Sequence, residues 1–328
     1  MVAYLIRRLL WSLLALWVVM TLVFVLIFAL GDPASATLGP KAHREQLQAF
    51  RQRHGLDRPL WTQYLGYLGL RPCVRPSSPA YPHQQACGLL QGELGESFRE
   101  NEAVWQVIAV RLPRTLLLGI LASLIELFLG VLIGVAAALR RGGWFDTLVM
   151  VATFAGMSVP SFIIALFALD GLAFRLGWFP VGGYGLDFGD HLYHALLPST
   201  VLAVLGAAIY ARIMRSEMLE TLAQDFLRTA RAKGAGRARR IVIHGLRNSL
   251  IPVVTLLGLQ LSSLVSGAII TETIFAWPGV GRLAVESIYN LDAPVIMGVV
   301  LIAAVAVQLG NFLADLVVAW LDPRIRLA

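Results

Sequence analysis

An all-α membrane protein with six transmembrane helices is the fold class this sequence predicts, and three observations carry the prediction. The 328 residues are 57% hydrophobic and only 14% charged, whereas a soluble domain is usually about 45–50% apolar and about 25% charged. Six stretches reach the roughly 20 apolar residues that a helix needs to cross a bilayer. The cations of the short connections gather on one side of those stretches, the pattern that fixes orientation. Helices satisfy every backbone polar group internally, as hydrocarbon demands.

The elements follow in order. A first span, Leu9 to Leu30, comes after Arg7 and Arg8, so residues 1–30 read as a cytoplasmic N-terminus and the first transmembrane helix. Ala34-Ser35-Ala36 imitates a signal-peptidase site, but the apolar run before it is longer than the roughly 7–15 residues of a signal h-region, and the first helix is read as uncleaved. Residues 31–113 form a long polar segment placed outside, in the periplasm. It holds the only two cysteines, Cys73 and Cys87, on either side of VRPSSPAYPHQQA. An oxidising compartment would let them pair, and closing a loop of about 15 residues is worth about 3 kcal/mol in the chain-entropy account. The alternative is two unpaired thiols in an insertion.

Residues 114–328 contain the other five spans: Thr115 to Leu139, Thr147 to Leu169, Leu192 to Ala211, Ser249 to Thr271 and Ala293 to Leu321. An even number of crossings places both termini on one face. With that face cytoplasmic, it receives Arg7, Arg8, the Arg140–Arg141 turn, the basic loop 212–248, Arg324 and Arg326, while the short outer loops hold only Arg175 and Arg282 as Arg or Lys.

Glu126 and Asp315 are the only charged residues inside the six stretches. A carboxylate in a span is costly and marks either a pathway residue or a hydrogen-bonded helix contact; for Glu126 the favoured reading is a contact, with a partner subunit as its first choice. Gln308, Asn311 and Asp315 recur at three- to four-residue spacing and form one polar stripe, facing the pathway or a partner. Gly130 and Gly134 permit close helix approach. Pro160, Pro198 and Pro294 could kink or cap their helices. Trp277 reads first as an interfacial anchor.

The loop 212–248 poses the functional question. Residues 226–252, FLRTARAKGAGRARRIVIHGLRNSLIP, carry seven Arg or Lys side chains and no carboxylate. Topology explains the sign of that charge but not the length, since helix connections often need only about 2–8 residues. Anionic lipid headgroups would attract it. Nucleic acid is excluded, because no aromatic stacking platform is interleaved with the arginines and both flanks enter the membrane. Residues 219–233 are mostly good helix formers, with Phe226 and Ala230 on one face; Gly234-Ala235-Gly236 then breaks the helix. A second basic helix spans 237–247, and Asn248 or Ser249 can cap the next. Helix, glycine turn and helix make a docking element for a cytoplasmic partner.

This segment resembles the EAA loop of bacterial ABC-importer permeases, most closely those of the dipeptide, oligopeptide and nickel family. Arg228-Thr229-Ala230 stands where the general pattern has Glu-Ala-Ala, and Gly234 stands at its glycine. YLIRRLL at 4–10, GDPA at 31–34, HGLDRPLWTQYL at 54–65, GELGESF at 92–98, RLPRTL at 111–116 and SVPSF at 158–162 are similar to the same branch. So are TETIFAWPGVGRL at 271–283 and LDPRIRL at 321–327. The chain departs from it at Leu30, at Leu117 and in the 71–90 insertion.

The resemblance implies a type I ABC-importer permease fold in the bacterial inner membrane and the first of two permease subunits. The implied partners are a second, homologous permease, two cytoplasmic ABC ATPases, a periplasmic solute-binding protein and membrane lipid. It also implies that Phe226, Arg228, Thr229, Ala230, Arg231, Lys233 and Gly234 couple the chain to an ATPase. No cofactor is expected on this chain; ATP and Mg belong to the ATPases, and neither lysine, Lys41 nor Lys233, completes a G-x-x-x-x-G-K phosphate loop. Dipeptides or oligopeptides are the first substrate choice, a nickel chelate or glutathione the alternative. An intramembrane serine protease is disfavoured, since GMSVP lacks the second glycine of a nucleophile elbow. A secondary transporter would have no use for a long docking loop, and no inverted repeat is evident.

Overall fold

In the computed structural model of the chain, residues 2–29, 31–39, 41–72, 87–260 and 268–321 are described. Helix α1, Val2–Phe24, continues through a wider π turn, Val25–Ala29. Three short helices follow, α2 (Pro33–Leu38), α3 (Arg44–His54) and α4 (Leu60–Leu68). Then come α5 (Val104–Leu139), α6 (Trp144–Ser158) and α7 (Ser161–Ala168), the last extended by a π turn, Leu169–Arg175. Helix α8 is Phe188–Ala223 and α9 is Asp225–Ala232. Helix α10 (Arg237–Arg239) runs through a π turn, Arg240–Leu246, into α11 (Arg247–Gln260). The chain closes with α12 (Ile269–Ile274), α13 (Val280–Asn290) and α14 (Ala293–Leu321). Among the described residues the only extended pairing is one isolated bridge, Glu96 to Ala103.

Among the described residues, five helical stretches are long and apolar enough to cross a membrane: Ile6–Ala29, Val104–Leu139, Phe188–Ala223, Arg237–Leu257 and Ala293–Phe312. The pair Trp144–Ser158 and Ser161–Arg175, bent by 101°, is a sixth candidate, either a broken span or a re-entrant loop. The bend falls at Pro160, one of the prolines marked in the sequence as able to kink or cap a helix. Val159 precedes Pro160 and sits at φ −89°, ψ 124°, because the proline ring disfavours the helical region for the residue before it. Pro113, Pro198 and Pro252, by contrast, lie inside continuous helices. Trp11, Phe128 and Phe167 stand largely exposed on the chain, as side chains do when the surrounding solvent is hydrocarbon.

Two compact units emerge. The first comprises Met1–Arg114 and Gly279–Ala306. Val104, Val107 and Ile108 of α5 pack with Val280 and Leu283 of α13 and with Val295 and Val299 of α14. A second cluster joins Met20, Phe24 and Met297, flanked by Tyr64 and Tyr67. Thr21 Oγ1 and Tyr64 Oη lie 2.5 Å apart, tying α1 to α4. The GELGESF stretch is held by Asp292, whose carboxylate accepts from Ser97 Oγ at 2.5 Å and from the Phe98 backbone N–H at 3.1 Å. Both residues of that side-chain pair are buried. A cavity of about 270 Å³ opens beside Phe24, Tyr67, Phe98 and Met297. Cys87 is buried, while Cys73 lies outside the described residues, so the Cys73–Cys87 pairing is an expectation from sequence.

The second unit comprises Thr115–Pro278 and Val307–Leu327. Ala138, Tyr210, Met214, Met218 and Val253 bring α5, α8 and α11 together. Ala165, Ala173, Leu197, Val201 and Phe275 join α7 and its π turn to α8 and to the end of α12. Trp277 corrects the anchor reading: it is fully buried, packed with Leu118, Ala195 and Ala268. Its ring meets Tyr184 edge-on at 5.0 Å, and Tyr184 stacks on His191. The WPG turn therefore serves this unit as a plug of packed aromatic surface.

Candidate functional site

The segment 212–248 is helical over most of its length. Helix α8 runs past Ala211 without interruption to Ala223, and the chain turns at Gln224 (φ −70°, ψ 149°) into α9. The single helix expected over 219–233 is thus divided. The break lets α9 leave the axis of α8 and bury Leu227, while Phe226 keeps 43% of its surface exposed. Arg228, Thr229, Arg231, Lys233 and Gly234 are all exposed and Ala230 is half-buried. Asp225 sits in the first turn and Arg231 in the last, each charge suiting the helix dipole at its end.

Gly234 stops α9 as the sequence implies. Its φ is +83°, the left-handed conformation that only glycine adopts without penalty. Ala235 N–H donates to Ala230 O at 3.0 Å and Gly234 N–H to Arg231 O at 3.0 Å, the paired bonds of a Schellman cap.

The hairpin is clasped at its base. Ser249 Oγ lies 2.9 Å from Thr221 Oγ1 and 3.1 Å from Gly245 O, joining α11 to the end of α8. Ser249 is fully buried. No helix begins at Asn248 or Ser249, contrary to the capping expectation: α10, its π turn and α11 form one continuous rod, and Asn248 Nδ2 donates back to His244 O at 2.8 Å. Buried Gly245 lies against Met218, where a β-carbon would stand 2.9 Å from its Cε.

A second feature was not read from sequence. Asp146, in the first turn of α6, is buried to 4% exposure and accepts a two-pronged contact from Arg215 of α8. Arg215 Nη2 to Asp146 Oδ2 is 2.7 Å, and Oδ2 also accepts the Gly142 backbone N–H at 3.0 Å. A carboxylate this deep persists only when paired and hydrogen-bonded. Its one sequence signal is an acid at the start of a helix, just after the Arg140–Arg141 turn. Thr115 and Glu272 form another pair missed by sequence reading: Thr115 Oγ1 donates to Glu272 Oε1 at 2.7 Å, and both are fully buried.

Glu126 is buried on α5 and faces Gly206 of α8, where a β-carbon would collide with its carboxylate. Within this chain, therefore, Glu126 stands at a contact between α5 and α8. Gly130 and Gly134 press on the same helix: a β-carbon at Gly134 would lie 2.5 Å from Ala211 O and 2.7 Å from Met214 Cβ, and one at Gly130 would overlap Tyr210 Cβ. Gln308 and Asn311 are half-buried on α14; the side chain of Asp315 lies outside the described residues. Ser158 Oγ donates to Phe154 O at 3.0 Å, and His194 Nδ1 contacts Asp190 O at 2.9 Å. Each of these residues is spent on its own helix, as boundary residues are.

Comparison with known proteins accounts for this arrangement. Residues 130–327 match the family described as binding-protein-dependent transport system inner membrane component, and residues 1–119 match the N-terminal family of such membrane components. The chain is 38% identical over 332 residues to the oligopeptide transport system permease protein AppB of Bacillus subtilis, covering 99% of both chains. It is 39% identical over 337 residues to the di/tripeptide transport system permease protein DppB of Pseudomonas aeruginosa, covering 93% of this chain and 94% of that one. Among solved structures, a chain of the inward-facing MetNI methionine ABC transporter superposes with a TM-score of 0.55 at 18% identity, over 66% of this chain and 97% of that chain; at that identity the likeness speaks for the fold alone. A long helical pair with a clasped, exposed basic hairpin, set in apolar spans, belongs in such company. The chain belongs to the binding-protein-dependent transport system inner membrane component family and is the membrane-spanning permease subunit of an ABC importer, working with an ATPase and a substrate-binding protein in the bacterial inner membrane.

Proposed function

We propose that this permease carries short peptides and forms half of a translocation pathway, paired with a second, homologous permease. Two cytoplasmic ATPases bind ATP and Mg, a periplasmic solute-binding protein delivers the cargo, and this chain itself holds no cofactor and performs no hydrolysis. Both termini and the α9 hairpin face the cytoplasm, in keeping with the arginines of the short connections.

The observation that carries the reading is the hairpin. Phe226, Arg228, Thr229, Arg231, Lys233 and Gly234 present exposed surface on a helix that only Leu227 anchors by burial, and Ser249–Thr221 fixes its base. An apolar ring with cations around it, on a rigid element, suits a groove on another protein. In this reading Phe226 and Ala230 insert, Thr229 lies between them and Arg228, while Arg231 and Lys233 set the approach by charge. Gln308, Asn311 and Asp315 then give α14 a polar face toward the pathway or the second permease. Peptides are preferred as cargo because AppB and DppB are named for oligopeptides and for di- and tripeptides.

The test is to purify the chain with its partners and place single-cysteine crosslinkers at Phe226 and Arg231. The ATPase subunit is the expected adduct; uptake that is still driven by ATP while both positions stay unlinked would refute the docking assignment. Proteoliposome uptake of a labelled dipeptide, of glutathione and of a nickel–histidine chelate, each with the cognate binding protein, decides the cargo. Dipeptide uptake is the expected result.

A further inference from the structure

The coupling reading explains how this chain would be gripped, and leaves open how a displaced hairpin would move a span that it does not adjoin in sequence. Helix α8 supplies the first part of the path. It is continuous from Phe188 to Ala223, so α9 hangs from the end of a single rod, with only Gln224 between them. Arg215 lies on that rod roughly 13 Å above the break, at 1.5 Å per residue.

From Arg215 the connection passes sideways. Its guanidinium grips Asp146 at the start of α6, and the same carboxylate holds Gly142 in the turn that ends α5. One buried group thus ties three elements at one level: the α5–α6 turn, α6 and α8. Apolar contact between α6 and α8 could slide, whereas a two-pronged, charge-assisted bond fixes both distance and angle. At its far end α6 stops at the Val159–Pro160 bend, where it meets α7 at 101°. An extended residue before a proline, between two helices, is where such a pair can flex. The glycines of α5 add the remaining constraint. Gly134 packs on Ala211 and Met214, with Arg215 N 3.1 Å from its would-be β-carbon, so α5 and α8 also touch at this level.

The geometry points to Asp146 and Arg215 as positioning residues for transport: they form the strut through which displacement of α8 by the coupling hairpin turns α6 about the Val159–Pro160 bend. The inference rests on the coupling reading above and assigns its transmission path.

The experiment uses the whole transporter, with both permeases, ATPases and binding protein, in proteoliposomes, and reads ATP hydrolysed per labelled dipeptide taken up. Asp146→Asn and Arg215→Gln should raise that ratio about tenfold, within the roughly 5–150-fold range of allosteric couplings, with co-purification of all subunits unchanged. Arg215→Lys keeps the charge but loses the fork and should raise it less. The exchange Asp146→Arg with Arg215→Asp should recover most of the wild-type ratio. If the neutral variants do not assemble, Arg215→Lys carries the test. A wild-type ratio in every assembled variant overturns the strut, as does a proportional fall in hydrolysis and uptake, which a merely structural bridge would give. An exchange variant that assembles yet stays uncoupled also overturns it. Should the wild-type complex show no ATP-driven uptake, the coupling reading fails instead; a coupled wild type beside coupled variants sinks the strut alone.

Discussion

Gly234 offers a graded test of the hairpin. Its φ of +83° is left-handed, and a β-carbon there would meet nothing within 4 Å. Substitution therefore acts through the backbone and not through crowding. Alanine in that conformation costs about 1–2 kcal/mol, enough to shift the population of correctly capped α9 by roughly 5–30-fold. Asparagine, which tolerates the left-handed region better, should cost less. Proline demands φ near −65° and removes the N–H that now reaches Arg231 O at 3.0 Å, so the cap is lost altogether, at about 3 kcal/mol or more. Transport should fall in the order Gly234, Asn, Ala, Pro, with expression and membrane insertion unchanged, because the residue lies outside every span. The assay is ATP-driven uptake and ATP hydrolysis in the same proteoliposomes. A Gly234→Pro variant that transports like the wild type would refute the coupling assignment, and equal losses for Ala and Pro would refute the conformational argument.

Gly134→Leu should lower thermal stability by about 1–3 kcal/mol or more through overpacking, since Ala211 O and Met214 Cβ already bound the glycine; an unshifted melting curve in detergent would contradict the α5–α8 contact. Asp292→Ala strips the buried Ser97 Oγ and the half-buried Phe98 N–H of their acceptor and should cost about 1–3 kcal/mol, measured by thermal unfolding. Tyr67→Phe has the opposite sign: among the described residues the Tyr67 hydroxyl is buried without a partner, so its removal should leave stability unchanged or raise it by about 1 kcal/mol, and a loss of that size would disprove the assignment. For Asp32, burial pushes its pKa up, yet hydrogen bonds from Arg51 and Ser35 outweigh burial and hold it below the usual carboxylate value. A depressed folded pKa means stability present above about pH 3.8 and lost as pH falls through the lowered value. Because the Arg51 pair is well exposed, Asp32→Asn should cost under about 1 kcal/mol at neutral pH and nothing below the lowered pKa; a cost that persists in acid would exclude the ion pair as its source.

What the sequence settled is what adjacent residues encode together. Long apolar runs name the spans, since a helix must be apolar along its own length to sit in hydrocarbon. Arginines between the runs predict orientation, and Gly234 marks the end of α9 because its lack of a β-carbon is a local property. Only the tertiary structure could place Trp277 inside, set Glu126 against Gly206, or join Asp146 to Arg215 across 69 residues. Helices that are apolar on every side carry no periodic signal for which face meets a neighbour and which meets lipid, because both surroundings are equally apolar. The 101° break belongs to the same class: Pro160 permits a bend, yet Pro198 and Pro252 lie in unbroken helices, so a proline in the sequence does not by itself say which helix breaks.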